Sequence, residues 1–160
     1  MIQFKSLIKM NDVYIEVQEI VSALQVENLD WEYIEGKILI FYNGKEIFGS
    51  EITDDINWFW GFIVDGFDVF FEQGTYEVGF PSQAIHFSLT QINSNNVHIR
   101  ISSETRVHLN KDFILTEFLN GFLNGALEYY HFEKKFNKNE IDEIERQMSL
   151  IESYTKKIAI

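Results

Sequence analysis

The spacing of the apolar residues changes near residue 110, and this change is the feature that most constrains the fold. Within residues 85–89 and 97–101, apolar side chains occupy every second position, as in Ile85, Phe87 and Leu89. A period of two is typical of a strand with one buried face. Beyond residue 110, apolar residues recur three or four positions apart, which is the spacing of one helix face. The sequence therefore predicts an α+β fold.

Individual elements can be assigned from the same patterns. Strands are predicted at 2–8 and 13–20, with three or four more across 75–109, and a hairpin is predicted at 32–49. Asn43-Gly44 has the composition of its tight turn, because glycine tolerates the positive φ that such a turn requires. Helices are predicted at 54–73, at 111–136 and from Asn139 to Ile158.

Capping residues give the predicted helix ends. Thr53 is the expected N-cap of the first helix and Gly74 its end, and Asn110 is the expected N-cap of the second helix. We therefore expect one domain over residues 1–160, since 160 residues are one domain's length. Its sheet is predicted to be an antiparallel meander of about six strands. One helix is inserted between strands, and two C-terminal helices pack on the sheet.

The charge balance restricts the classes of partner. Thirteen Lys and Arg residues face 25 Asp and Glu residues, which gives a formal net charge of −12. Proteins hold a phosphate backbone through Lys and Arg, and anionic membranes repel an acidic surface, so we expect neither nucleic acid nor a membrane as partner. A basic protein is the natural complement, because opposite fields speed encounter. The alternative is that the acidity serves solubility alone.

The sequence lacks the usual signatures of catalysis. It contains no cysteine, no glycine-rich phosphate loop and no pair of histidines at metal-binding spacing. We therefore predict a protein that is not an enzyme and that uses no cofactor and no metal. Its start has no basic segment followed by an apolar one, and no apolar run approaches the length of a membrane span, so a cytoplasmic location is expected. Abundant Ile, Asn and Lys suggest a bacterial source.

The first predicted helix carries a one-sided acidic stripe. Residues 46–99 contain eight acidic residues and no Lys or Arg. On the helix, Asp65, Asp68 and Glu72 lie three or four positions apart and therefore share a face, with Trp58 beside them. Like charges at this spacing are destabilising, and the helix has no cation to offset them. We therefore predict these four residues as the surface that binds a basic partner, the alternative being a solvated helix face.

The predicted strands gather a second group of candidate residues. If the apolar positions of 85–109 face the core, the opposite face carries His86, His98, Arg100, Arg106 and His108. Pairing across the turn at 103–105 would place Arg100 near His108. Such a face could bind an anion or a small ligand, or respond to pH. The competing interpretation, an ordinary solvated sheet face, is favoured because no nucleophile or positioned acid accompanies it.

The third predicted helix leaves two interpretations open. Its apolar residues follow a heptad-like rhythm through Ile141, Ile144, Met148, Ile151 and Ile158. Such a stripe could pair with a second copy and form a homodimer, or it could dock on the same chain. Three heptads are marginally stable alone, so docking on the same chain is favoured. A homo-oligomeric structural or accessory protein therefore remains an alternative.

Two short stretches add a resemblance to a known class. Gly79-Phe80-Pro81-Ser82-Gln83 leads into strands, and Phe118-Leu119-Asn120-Gly121-Phe122-Leu123 lies in the second long helix. With the chain length and the acid-only segments, these stretches resemble the small acidic immunity proteins of bacterial polymorphic-toxin systems. The resemblance implies a cytosolic α+β protein that masks a cognate toxin, often a basic nuclease. It covers the whole chain at the level of the class and transfers no individual residue.

Overall fold

The computed structural model describes residues 1–158, which form an α+β fold with two antiparallel sheets. The first sheet contains five strands, β1 (Ile2–Met10), β2 (Val13–Glu16), β3 (Glu35–Tyr42), β4 (Lys45–Phe48) and β5 (Asp54–Asp55). Its order is β2-β1-β3-β4, and β5 also pairs with β3. The turn between β3 and β4 has positive φ at both Asn43 and Gly44, which confirms the predicted hairpin.

The second sheet is a four-stranded meander in the order β6-β7-β8-β9. Its strands are β6 (Thr75–Gly79), β7 (His86–Gln91), β8 (Asn96–Ser102) and β9 (Val107–Ile114). The prediction of one meander of about six strands is therefore wrong in topology. Alternation shows which residues of a strand face the core, but it does not show which strands share a sheet.

Four α-helices accompany the sheets in residues 1–158: α1 (Ala23–Val26), α2 (Ile56–Gln73), α3 (Leu115–Phe136) and α4 (Ile141–Ile158). A 3₁₀ turn at Val17–Glu19 replaces the end of the predicted second strand. The end of α2 is as predicted, because Gly74 adopts the left-handed conformation that closes a helix, with φ of 74°.

Two predicted helix starts are wrong. The first two residues of the predicted helix 54–73, Asp54 and Asp55, pair with β3, so α2 begins at Ile56. Asp55 caps it in place of Thr53, and its Oδ1 accepts from the Trp58 amide at 3.4 Å. The second helix begins at Leu115, not at 111, because β8 holds residues 111–114 as the end of β9. Asn110 is therefore a strand residue and caps no helix.

Aromatic side chains fill the core between the sheets and the helices. The rings of Phe67 on α2 and Phe122 on α3 stack with centroids 4.8 Å apart, and Phe4 of β1 meets Phe122 edge-on at 5.2 Å. Close packing of α3 on β1 requires glycine at Gly121, because a Cβ there would collide with the carbonyl oxygen of Ile2. The buried Trp60 satisfies its indole by donating to Ser6 Oγ at 2.9 Å.

The last helix docks on the rest of the chain. Ile144, Ile151 and Tyr154 of α4 are buried, and Tyr154 Oη donates to the Val64 carbonyl of α2 at 3.0 Å. The apolar stripe that suggested a homodimer is thus used within the chain. A dimer through α4 would have to use the exposed face of that helix. Docking of α4 beside α2 and α3 also creates the cavity described next.

Candidate binding cavity

A cavity of about 650 Å³ opens between α2, α3, α4 and the segment that follows α1. Its lining combines aromatic rings with carboxylates, and we call it the acidic–aromatic cavity. The aromatic residues are Trp31, Trp58, Phe62 and Tyr130. The carboxylates are Glu32, Asp65, Glu133, Glu140 and Glu143. Gly61, Asn57, Ile144 and Gln147 complete the lining.

Helical spacing brings these side chains together. Trp58, Phe62 and Asp65 occur four and three positions apart on α2 and therefore share one face. Tyr130 and Glu133 are three positions apart on α3, and Glu143 and Gln147 are four positions apart on α4. Each helix thus contributes one polar or aromatic row to the same space.

Large aromatic surface is exposed at the mouth of the cavity. Trp58 is 53% exposed and Phe62 is 39% exposed, and their rings meet edge-on with centroids 5.5 Å apart. Burying large apolar side chains is favourable by roughly 1.5–3 kcal/mol each. An exposed aromatic pair at the mouth of a cavity could gain this energy by contact with another molecule.

At the rim of the cavity, the guanidinium of Arg146 forms ion pairs with two carboxylates. Arg146 Nη2 donates to Asp65 Oδ1 at 3.0 Å and to Glu143 Oε1 at 2.6 Å, and its Nε donates to Glu143 Oε2 at 3.0 Å. The side chain of Gln147 adds a donor to Asp65 Oδ1 at 3.1 Å. No ion pair joins Glu32, Glu133 or Glu140 to a cation of residues 1–158. The cavity therefore keeps an excess of negative charge.

Glu133 is the most unusual of these carboxylates, because it is only 2% exposed. Its Oε1 accepts from Asn137 Nδ2 at 3.3 Å, while its Oε2 has no hydrogen-bond partner within residues 1–158. Burial raises the pKa of Glu133 to about 7, and the nearby charges of Glu140, Asp55 and Glu143 act in the same direction. Near neutral pH this side chain can therefore take up or release a proton.

Two further buried side chains have polar atoms without a partner in residues 1–158. Gln147 is 3% exposed, and its Oε1 has no hydrogen-bond partner. Tyr129 is fully buried, and its hydroxyl oxygen also has no partner. Burial raises the pKa values of both Tyr129 and Tyr130 well above the usual value for tyrosine, so both stay neutral. Buried polar atoms without partners are uncommon in folded proteins.

The structure places two of the four predicted partner-binding residues in the cavity and two outside it. Trp58 and Asp65 line the cavity. Asp68 does not, and it pairs with Lys157 of α4 at 3.6 Å. Glu72 is exposed on the last turn of α2, outside the cavity lining. The helix itself has no cation, as the sequence shows, but α4 supplies Arg146 to Asp65 and Lys157 to Asp68, so the stripe is partly neutralised.

The predicted His/Arg face is a mixed surface. Arg100 lies opposite Asn110 and not opposite His108, because the loop spans residues 103–106 and the register shifts by one further residue between Ile101 and Ser102. His108 instead packs edge-on against Phe48, with ring centroids 6.3 Å apart. Three other members have acidic neighbours: His98 contacts Asp112, His86 lies 3.6 Å from Glu77, and Arg106 lies 3.5 Å from Glu51. Arg100 donates from Nε to Ser102 Oγ at 3.4 Å. The face therefore does not present a cluster of free cations.

Sequence reasoning missed Glu133, Gln147 and Tyr130. A signal for Glu133 was present, because Ala126, Tyr129 and Glu133 lie three and four positions apart on the buried stripe of α3. A carboxylate at an apolar position of a helix indicates a special environment. Trp31 carried no such signal, because it follows α1 in irregular structure.

Comparison with known proteins gives no match to a protein family, to a curated protein or to a solved structure. Among residues 1–158, no helix has the length and apolar character to cross a membrane. In the same part of the chain, no group of three His, Asp or Glu side chains is arranged to hold a metal ion.

Proposed function

We propose that this protein is a non-enzymatic binding module that recognises a basic protein through the acidic–aromatic cavity and its rim. The observation that carries the proposal is the position of Trp58, which stands half-exposed at the mouth of a cavity lined by five carboxylates. Trp is a favoured anchor of protein interfaces, and charged rims speed the approach of an oppositely charged partner.

The class of partner follows from the same features. A net charge of −12 favours a basic partner and disfavours nucleic acid and anionic membranes. The resemblance to immunity proteins makes a bacterial toxin domain the partner that we propose, with binding in the cytoplasm. The two stretches that carry the resemblance lie outside the cavity lining. One forms the end of β6 and the loop before β7, and the other contributes buried residues of α3.

The test is capture of partners from an extract of the source organism, followed by binding kinetics. The unpaired rim carboxylates Glu32 and Glu140 are reversed together, as Glu32→Lys with Glu140→Lys. A matched control, Glu46→Lys with Glu104→Lys, changes the net charge equally at exposed residues outside the cavity lining. Trp58→Ala removes the proposed anchor.

We expect one basic protein to be captured by the wild type and by the control, and much less by the rim variant. The rim variant should associate more slowly and with a weaker dependence on salt. Trp58→Ala should speed dissociation by roughly 30-fold, the change that corresponds to a hot spot of about 2 kcal/mol. If the rim variant and the control bind the partner with equal rates, the cavity is not the interface and the proposal fails.

A further inference from the structure

Two buried side chains of the acidic–aromatic cavity have hydrogen-bond acceptors that no donor of residues 1–158 satisfies. Glu133 and Gln147 both line the cavity and both are at least nine-tenths buried. In the described part of the chain, each has a side-chain oxygen with no hydrogen-bond partner. Leaving a buried acceptor unpaired is unfavourable, and more so when the group is charged. A ligand that brings several donors would remove this cost.

Resting on the proposed function, we propose that the cavity receives a single arginine side chain of the basic partner, with its guanidinium directed at Glu133 and Gln147. A guanidinium carries five N–H donors in a plane and has no acceptor. It is also weakly hydrated and stacks on aromatic faces, so it suits a site that combines Trp58 and Tyr130 with carboxylates. Lysine offers a strongly hydrated point charge and lacks the planar fork.

The rim already shows that these carboxylates suit a guanidinium. Arg146 binds Glu143 through two nitrogens, at 3.0 Å and 2.6 Å, and reaches Asp65 with one of them. This internal arginine occupies Asp65 and Glu143, whereas Glu32, Glu133 and Glu140 have no cation partner within residues 1–158. Buried Glu133 and the rim carboxylates Glu32 and Glu140 are therefore free for a second guanidinium from outside the chain.

The charge state of Glu133 gives the binding a dependence on pH. The pKa of about 7 reflects burial and the facing carboxylates of Asp55, Glu140 and Glu143, opposed by the amide of Asn137. Tyr129 and Tyr130 lie beside it and stay neutral. A bound cation favours the ionised carboxylate, so binding should be tighter at pH 8 than at pH 6.

The experiment uses the intact protein and three capped amino acids: N-acetyl-arginine methylamide, its lysine counterpart and its citrulline counterpart. Citrulline has nearly the shape of arginine without the charge. Binding is followed at pH 8 through the indole NMR signals of the tryptophans. Trp58 lines the cavity, whereas Trp60 is fully buried and bonded to Ser6, so the Trp60 signal serves as an internal reference.

We expect the arginine probe to shift the Trp58 signal and to bind roughly 10-fold more tightly than the citrulline probe, the ratio for about 1.4 kcal/mol of charge-assisted and cation–π contact. The lysine probe should bind less tightly than arginine. Trp58→Ala and Glu133→Gln should each lower the affinity for arginine, as measured by ligand-detected NMR. Glu104→Gln, an exposed control outside the cavity, should not change it.

Equal binding of arginine and citrulline, or of arginine and lysine, would overturn the inference, as would unchanged affinity in Glu133→Gln. Failure of this inference is distinct from failure of the proposed function. If no probe binds but rim charge reversal abolishes partner capture, the arginine site is wrong and the binding module stands. If the arginine probe binds but rim reversal leaves partner capture unchanged, the cavity binds arginine but is not the interface with the captured protein. The proposed function then fails, and with it the assignment of the arginine to that partner.

Discussion

Arg146 of α4 and Asp65 of α2 form an ion pair across 81 positions of the chain, with Nη2 donating to Oδ1 at 3.0 Å. The same guanidinium holds Glu143, so a single cation links two carboxylates on two helices. The pair stands at the rim of the acidic–aromatic cavity. It therefore contributes to the shape of the cavity as well as to the docking of α4.

Removing this cation should have a small effect on stability. Both partners are about half exposed, and exposed ion pairs contribute roughly 0.2–1 kcal/mol each. We expect Arg146→Gln to lower the free energy of unfolding by up to about 1 kcal/mol, with a smaller loss in high salt. Urea denaturation at two salt concentrations measures this change. Lys156→Gln is the matched control, because its pair with Glu152 lies within α4. An equal loss of stability in both variants would contradict a contribution of the Arg146–Asp65 ion pair to the docking of α4 on α2.

Much of the fold could be predicted from periodicity and from a few local signals. The alternation in 85–101, the turn at Asn43-Gly44 and the end of α2 at Gly74 all depend on neighbouring residues. The pairing of Asp54 and Asp55 with Glu35 and Gly36 depends on a distant strand, so the start of α2 was misplaced. The division into two sheets was missed for the same reason.

The candidate site was only partly predictable. Trp58 and Asp65 stood out because they lie on one short helix face. Arg146 was assigned no role at that face, because it lies 81 positions further along the chain and nothing local connects it to Asp65. The raised pKa of Glu133 depends on the groups that α4 and Asn137 place around it, and no sequence pattern within α3 shows those groups.

Two glycines of α2 should respond in opposite ways to the same substitution. A Cβ at Gly61 would meet only Tyr130 Oη, at 4.0 Å, whereas a Cβ at Gly66 would collide with the ring of Tyr76. Gly61→Ala should therefore stabilise the protein by up to about 1 kcal/mol through helix propensity. Gly66→Ala should destabilise it by about 1–3 kcal/mol through overpacking, since Tyr76 would also lose its bond to the Phe62 carbonyl.

Thermal and urea denaturation of the two glycine variants give this comparison directly. The two substitutions add the same methyl group to the same helix, so each serves as the control for the other. Stabilisation by Gly66→Ala would show that Tyr76 can move aside without cost, contrary to the packing described above.

Asp54 should prove essential for the loop before β7. Its carboxylate accepts from the Ser82 amide at 3.0 Å, from Ser82 Oγ at 2.5 Å and from the Asp55 amide at 2.6 Å. Hydrogen bonds to charged groups contribute about 1.5–3 kcal/mol, and Asp54 is 5% exposed. We expect Asp54→Ala to lower the free energy of unfolding by about 2–4 kcal/mol and Ser82→Ala by less. Amide hydrogen exchange should then rise across residues 80–85; unchanged exchange there would contradict this role.

The last prediction concerns the dependence of stability on pH. The pKa of Glu133 is about 7 in the folded protein and about 4.5 when the side chain is exposed. Between these values the folded state binds more protons than the unfolded state, so the stability contributed by this group is fully present below pH 4.5. It is lost as the pH rises through 7, because a buried carboxylate must then ionise.

Glu133→Gln should remove this loss, because an amide keeps the shape and hydrogen-bonding capacity of the protonated acid without titrating. We expect the two proteins to differ little at pH 5 and the variant to be more stable at pH 8, by on the order of 2–3 kcal/mol. Urea denaturation of both proteins from pH 5 to pH 8 measures the difference, and Glu104→Gln at an exposed site controls for the change in net charge. Asp55, Glu140 and Glu143 are present in both proteins, so the difference between the two curves reports the ionisation of Glu133 in its native surroundings. Parallel curves across this range would mean that Glu133 is already ionised at pH 5, and that its unpartnered oxygen is better solvated than the structure indicates.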